Sequence, residues 1–201
     1  MVKLDSVSFS YDKPSSDNAS ADAAREVLKN LSLEISEGET IAVMGASGSG
    51  KTTLIKLLLG LIQPDSGTVE GLENKRVSVV FQEDRLLPWY SAKENVALVF
   101  SGRTKSERER AALELLAELE LDAADKPIRE LSGGMRRRVA IARALAYGGD
   151  LLLLDEPLKG LDAELKARVA QSIKRRFSTI LLITHDEDEV KLFDCRRVYR
   201  I

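Results

Sequence analysis

Eight consecutive residues, Gly45-Ala46-Ser47-Gly48-Ser49-Gly50-Lys51-Thr52, constrain this chain more than any other stretch of it. Three glycines let the backbone curl tightly enough for successive N–H groups to converge, which makes a nest for an anion. Lys51 is spaced to reach β- and γ-phosphates, and the Thr52 hydroxyl is placed to ligate Mg²⁺. The flanks agree with that reading. Residues 40–44 (Thr-Ile-Ala-Val-Met) read as a buried strand, and residues 53–59, beginning at Thr53, as an apolar helix. Strand, loop and helix in this order set a helix N-terminus against negative charge.

Composition narrows the class further. A chain of 201 residues can bury one large core. Its 30 basic and 32 acidic side chains leave a net charge of −2, without the basic excess of a dedicated nucleic-acid binder, so no nucleic-acid partner is expected. The one dense basic run, Arg136 to Arg138, reads as a solvated helix face. A single cysteine, Cys195, excludes an internal disulfide and fits a reducing compartment. No apolar run approaches the ~20 residues that span a bilayer, so the chain is expected to be soluble by itself, with any membrane role arising through a partner.

Further along, residues 3–9 and 31–35 alternate like half-buried strands, and residues 12–25, rich in Ser, Asp and Ala, read as a mobile surface loop. Pro64 to Gly67 turns the chain into a short strand, and residues 77–81 read as a second buried strand. Residues 107–121 carry Ala112, Leu116 and Leu119 on one helical stripe, and residues 134–146 continue as helix. Strand and helix then alternate: 151–155, 163–177, 179–184, and a closing strand at 197–201. The pattern predicts an α/β fold, a largely parallel sheet covered by helices on both faces, with a helical subdomain appended between Trp89 and Ala146.

Two further features carry chemistry. Leu151-Leu152-Leu153-Leu154 reads as a central strand that delivers Asp155 and Glu156 at its carboxyl end, where open α/β sheets bind ligands. Asp155 suits Mg²⁺, and Glu156, pointing the other way along the pleat, could polarise a water for attack on a γ-phosphate. Leu131-Ser132-Gly133-Gly134 offers a second glycine turn and helix N-terminus to an anion. One phosphate loop already envelops one triphosphate, so a second turn suggests a nucleotide held from two sides, possible between two chains.

Together these residues resemble the ATP-binding subunit of an ABC transporter over essentially the whole chain. The diagnostic element is Leu-Ser-Gly-Gly at 131–134, lying between the phosphate loop and Leu-Leu-Leu-Leu-Asp-Glu-Pro at 151–157. Gln82, Gly160-Leu161-Asp162, His185 and Tyr11 continue the family pattern. The resemblance implies a single ABC ATPase domain over 1–201. Within it, residues 1–85 and 147–201 would form a P-loop NTPase core with an N-terminal antiparallel β-subdomain, and residues about 86–146 an inserted helical subdomain.

The implied ligands are ATP and Mg²⁺. Gly45, Ala46, Ser47, Gly48, Ser49, Gly50, Lys51, Thr52 and Thr53 would bind phosphate, with Tyr11 against adenine. Thr52, Gln82 and Asp155 would serve the metal. Glu156 would act as general base, His185 and Lys51 would meet the γ-phosphate, and Gln82 would sense it. Ser132, Gly133 and Gly134 would close over ATP on a second copy, with Asp162 at that interface. Leu158-Lys159 departs from the smaller or hydroxyl residues frequent in the family before Gly160-Leu161-Asp162.

After Gln82, the sequence Leu86-Leu87-Pro88-Trp89 reads either as a contact for a membrane permease or as packing inside the helical subdomain. It resembles the nitrate, sulfonate and taurine importer branch. That implies import through a separate permease, a solute-binding protein in the complete system, and a place at the cytoplasmic side of the membrane. The alternatives are an ABC-type ATPase outside transport and a nucleotide-dependent switch module. The first would carry a long coiled coil or tandem ATPase units, and the second would have lost Glu156 or His185.

Overall fold

The computed structural model describes residues 1–11, 25–46 and 48–201, with only the backbone of Arg25. Residues 12–24 of the loop expected at 12–25, and the expected phosphate contact of Ser47, lie outside the described residues; Arg25 already belongs to a strand. In chain order come β1 (Val2–Tyr11), β2 (Arg25–Ile35), β3 (Thr40–Met44), α1 (Lys51–Leu58), β4 (Ser66–Glu70) and β5 (Val77–Val80). Then follow α2 (Ala92–Ala97), α3 (Lys105–Glu118), a 3₁₀ turn (Ile128–Glu130), α4 (Gly133–Tyr147) and β6 (Leu151–Asp155). The chain closes with α5 (Ala163–Arg176), β7 (Ile180–Thr184), α6 (Glu187–Leu192) and β8 (Arg197–Arg200).

Five of these strands form a parallel sheet in the order β5-β6-β7-β3-β8. A parallel sheet needs cover on both faces, so its inner strands must be apolar at every position. Leu-Leu-Leu-Leu-Asp of β6 and Ile-Leu-Leu-Ile-Thr of β7 are buried throughout. Period-two alternation then sorts them between two cores. Leu151, Leu153, Leu181 and Ile183 join Leu54, Ile55 and Leu58 of α1 together with Leu4 and Val7 of β1. Leu152, Leu154, Ile180 and Leu182 join α4, α5 and the helices α2 and α3 on the opposite face. Truncating Leu153 to Ala at this depth would cost about 2–5 kcal/mol.

The second sheet is antiparallel, in the order β2-β1-β4, and lies over α1. The alternation read at residues 3–9 is interrupted where Ser6 takes φ 53°, which shifts the register of β1 against both neighbours.

Three expectations change. Residues 77–81 form an edge strand, half-buried in alternation and ending at Val80, because only β6 pairs with it. Helices α2 and α6 were not foreseen; each is only six residues long, too short for a hydrophobic period. Arg136 to Arg138 are not one solvated face: Arg137 is buried, with 6% of its surface exposed. Its guanidinium donates to the Phe81 and Gln82 carbonyls. The turn from 131 into 134 and the helix of 134–146 otherwise stand as read, as α4.

Candidate functional site

Register brings the strand ends together. Met44 of β3 pairs with Thr184 of β7, Asp155 of β6 with Ile183, and Val80 of β5 with Leu154. The segments leaving these ends therefore emerge along one rim in the order Gln82, Asp155–Glu156, His185 and the glycine loop. A cavity of about 410 Å³ opens there, bordered by Gly48, Gly50, Lys51, Thr52 and Thr53 on one side. Gln82, Asp155, Glu156, Tyr11 and Val27 complete its wall.

The loop is built around its lysine. Lys51 is only 8% exposed and its Nζ donates to the Gly45 and Ala46 carbonyls at 2.7 Å each. Two glycines are sterically required. A Cβ at Gly45 would lie 2.4 Å from Ser49 Oγ and from the Ile201 carbonyl oxygen. Gly50 has φ +99°, and a Cβ there would press on the Val27 carbonyl oxygen at 2.8 Å. Gly50 is also the N-cap of α1 and supplies no side-chain acceptor, so the first-turn N–H groups remain for an anion. Among the described residues, Ser49 Oγ is buried without a hydrogen-bond partner.

Beside the loop, Thr52 Oγ1 donates to Asp155 Oδ2 at 3.3 Å. Burial pushes the Asp155 carboxyl above the usual carboxylate range, with the nearby Glu156 charge adding and the Thr52 hydrogen bond opposing. Glu156 leaves the strand at φ 46°, a left-handed backbone that ordinary residues adopt only where surroundings hold it. Its direction is therefore set by this turn rather than by the pleat. One carboxylate oxygen lies 3.0 Å from His185 Nδ1 and the other 3.0 Å from Lys159 Nζ. Burial alone would raise the Glu156 carboxyl; hydrogen bonds and charge from Lys159 and His185 outweigh it and hold the group below its ordinary range. The Lys159 contact was not anticipated, although its i+3 spacing from Glu156 offered the signal.

Tyr11 reaches the same cavity from β1, its hydroxyl 3.3 Å from Thr53 Oγ1 and its ring edge-on to Phe9. Ser132, Gly133, Gly134 and Asp162 stand away from the cavity wall. Ser132 caps α4, accepting from the Met135 N–H at 3.3 Å, and Asp162 caps α5, accepting from the Leu165 N–H at 2.9 Å. A Cβ on Gly133 would meet open space, whereas one on Gly134 would touch Leu161 at 3.3 Å. The apolar cluster after Gln82 divides: Leu86 packs against the core, while Trp89 is 75% exposed. Among the described residues, no helix is long and apolar enough to cross a membrane.

Comparison with known proteins agrees with this geometry. Residues 28–159 match the family model described as ABC transporter. The aliphatic sulfonates import ATP-binding protein SsuB 3 of Nocardia farcinica is 46% identical over 175 residues, covering 85% of this chain and 69% of its own. The taurine import ATP-binding protein TauB of Sinorhizobium fredii is 44% identical over 190 residues, covering 88% and 71%. The dimeric, post-hydrolysis structure of the ATP-binding cassette MJ0796 bound to ADP and Pi superposes with a TM-score of 0.87 at 30% identity. That match covers 100% of this chain and 94% of that one. A phosphate loop, a paired-carboxylate strand end and a second glycine turn on one α/β frame thus have a single source: the chain belongs to the ABC transporter family, as an ATP-binding subunit with the ATPase fold.

Proposed function

We propose that the rim cavity binds ATP and hydrolyses it with Glu156 as general base. The observation that carries this reading is the Glu156 carboxylate at the end of β6, held between His185 and Lys159 and bordering the same cavity as Lys51 and Thr52. Lys51 and the loop N–H groups, including those of Gly48, Gly50 and Thr53, would take the phosphates, and Tyr11 the base. Glu156 would accept the proton of the attacking water while His185 fixes its direction and meets the γ-phosphate. The donors are fixed before charge develops, which is the electrostatic part of the acceleration.

The Thr52 hydroxyl and the buried Asp155 carboxylate fit Mg²⁺: both are hard oxygen donors 3.3 Å apart, and the ion takes only one or two protein ligands beside phosphate and water. Gln82, at the end of β5, would serve the same ion. When bound, Mg²⁺ would neutralise charge on the transferring phosphoryl group.

Ser132, Gly133 and Gly134 would close over ATP held by a second copy, with Asp162 at the crossing. Residues 86–146 would act as a helical unit inserted into a core of 1–85 and 147–201. The chain would sit on the cytoplasmic face of a membrane through a separate permease. There it would power import of a small solute of the sulfonate or taurine kind that its relatives' names give, with a solute-binding protein in the complete system.

Light scattering of Glu156→Gln tests this. ATP with Mg²⁺ should convert that variant from monomer to dimer, and adding Ser132→Arg should prevent it. A chain that binds ATP and stays monomeric in the first variant would remove the shared-nucleotide reading.

A further inference from the structure

Between β5 and α2 the backbone runs without regular structure, so its carbonyls need partners from elsewhere. Two arginines of α4 supply them. Arg137 donates to the Phe81 carbonyl at 2.6 Å and to the Gln82 carbonyl at 2.5 Å, and lies 3.3 Å from the Asp84 carboxylate. Arg143 donates to the Asp84 carbonyl at 3.1 Å and the Arg85 carbonyl at 2.9 Å. Farther on, buried Asn95 of α2 accepts from the Leu87 N–H and donates to the Leu87, Tyr90 and Ser91 carbonyls. The segment carrying Gln82 is thus fastened to α4 at Phe81, Gln82, Asp84 and Arg85, and to α2 at Leu87, Tyr90 and Ser91.

We propose that Arg137 and Arg143 are positioning residues that make Gln82 move with α4, the helix whose first turn is Ser132-Gly133-Gly134. The proposal rests on the function given above and adds the route by which the two phosphate-facing elements are coupled. Arg137 lies one helical turn from Gly133, about 6 Å along the axis, so a displacement of that turn is delivered to Gln82 through a single buried guanidinium. A planar fork with five donors can serve adjacent carbonyls at once; a lysine cannot hold the same geometry.

Trp89, the chain's only tryptophan, lies on the coupled segment and reports its motion. Turnover, KM for ATP, the ATP-induced change in Trp89 emission and thermal melting are measured for wild type, Arg137→Lys, Arg143→Lys and, as a surface control, Arg175→Lys. Arg137→Lys should lower kcat about tenfold with KM within about twofold, and abolish the Trp89 response while the melt stays close to wild type. Arg143→Lys should do the same more weakly, and Arg175→Lys should match wild type. Normal turnover with the Trp89 response intact in Arg137→Lys overturns the coupling. So does a loss of turnover, ATP affinity and melting temperature in parallel, which marks a structural role alone. A wild-type chain without ATP turnover overturns the functional reading itself, and this inference with it.

Discussion

The two glycine turns look alike in sequence, each opening a helix at an anion-seeking N-terminus, and the fold treats them in opposite ways. The turn at 45–52 faces inward. Its lysine is buried on its own carbonyls, a Cβ at Gly50 would collide with neighbouring backbone, and the helix it opens has no side-chain cap. The turn at 132–134 faces outward. Ser132 caps its own helix and Gly133 borders open space. On the function proposed above, the first would be a half-site walled by its own chain, and the second a surface that closes over a ligand held by another molecule. Equal motifs therefore do not imply equal sites; what surrounds the turn decides whether it holds a ligand or closes over one.

The largest expected effects test that division directly. Lys51→Ala removes the cation that the inward turn is built around, and turnover should fall by about 10²-fold or more with loss of ATP affinity. Ser132→Arg should lower turnover to a similar degree, about 10²-fold, while ATP binding to the monomer stays within about twofold. Titration with a fluorescent ATP analogue beside a phosphate-release assay separates the two. Equal loss of monomer affinity in both variants would mean that both turns serve one nucleotide within one chain, and the comparison would break.

Stability should divide the same way. Gly50→Ala forces a left-handed alanine against the Val27 carbonyl and should destabilise the chain by on the order of 3 kcal/mol. Gly133→Ala points a methyl group into open space and should stay within about 0.5 kcal/mol of wild type. Urea unfolding midpoints at constant slope measure both. A Gly133→Ala variant as unstable as Gly50→Ala would show that the outward turn is packed after all.

Most of the rim was legible in sequence because its strands are fully buried. Continuous apolar runs at 151–154 and 180–183 leave one assignment, and in a parallel sheet their carboxyl ends must line up, which places Asp155, Glu156 and His185 beside the loop after Met44. The rest depended on contacts between elements. Arg137 sits within a basic run, and a basic run reads as solvated; yet Arg137, Ala140, Ile141 and Ala144 share one helical stripe, and the three apolar members were the sign that this face turns inward. Helix α2 is too short for periodicity, although its Ser91–Glu94 capping box was visible. The left-handed turn at Glu156 follows from tertiary packing, and pleat alternation could not give it; Lys159, three residues on, was within reach by spacing alone.

The last expected shifts in stability, a few degrees at most, concern the carboxylates that accompany each turn. Asp155 is buried beside the inward turn and its carboxyl is pushed up by desolvation, so at neutral pH its charge weighs against the ligand-free fold. Asp162, near the outward turn, caps α5 at the Leu165 N–H. Asp155→Asn should therefore raise the melting temperature of the nucleotide-free chain by roughly a few degrees, while abolishing turnover. Asp162→Asn replaces one good cap with another and should shift it by less than about a degree. The pH dependence has a definite sign. A carboxyl raised in the folded state costs stability once the pH exceeds its unfolded value, and the cost disappears as the pH falls and Asp155 takes up its proton. The advantage of Asp155→Asn should thus shrink on acidification. Glu156, held below its ordinary range, works in the opposite direction: its contribution is present at neutral pH and lost as the pH falls through its lowered value. The difference between Asp155→Asn and wild type cancels that second contribution to first order. Melting curves from neutral pH into the acid range that show an Asp155→Asn advantage growing toward low pH would reverse the assignment, leaving Asp155 a stabilising charge.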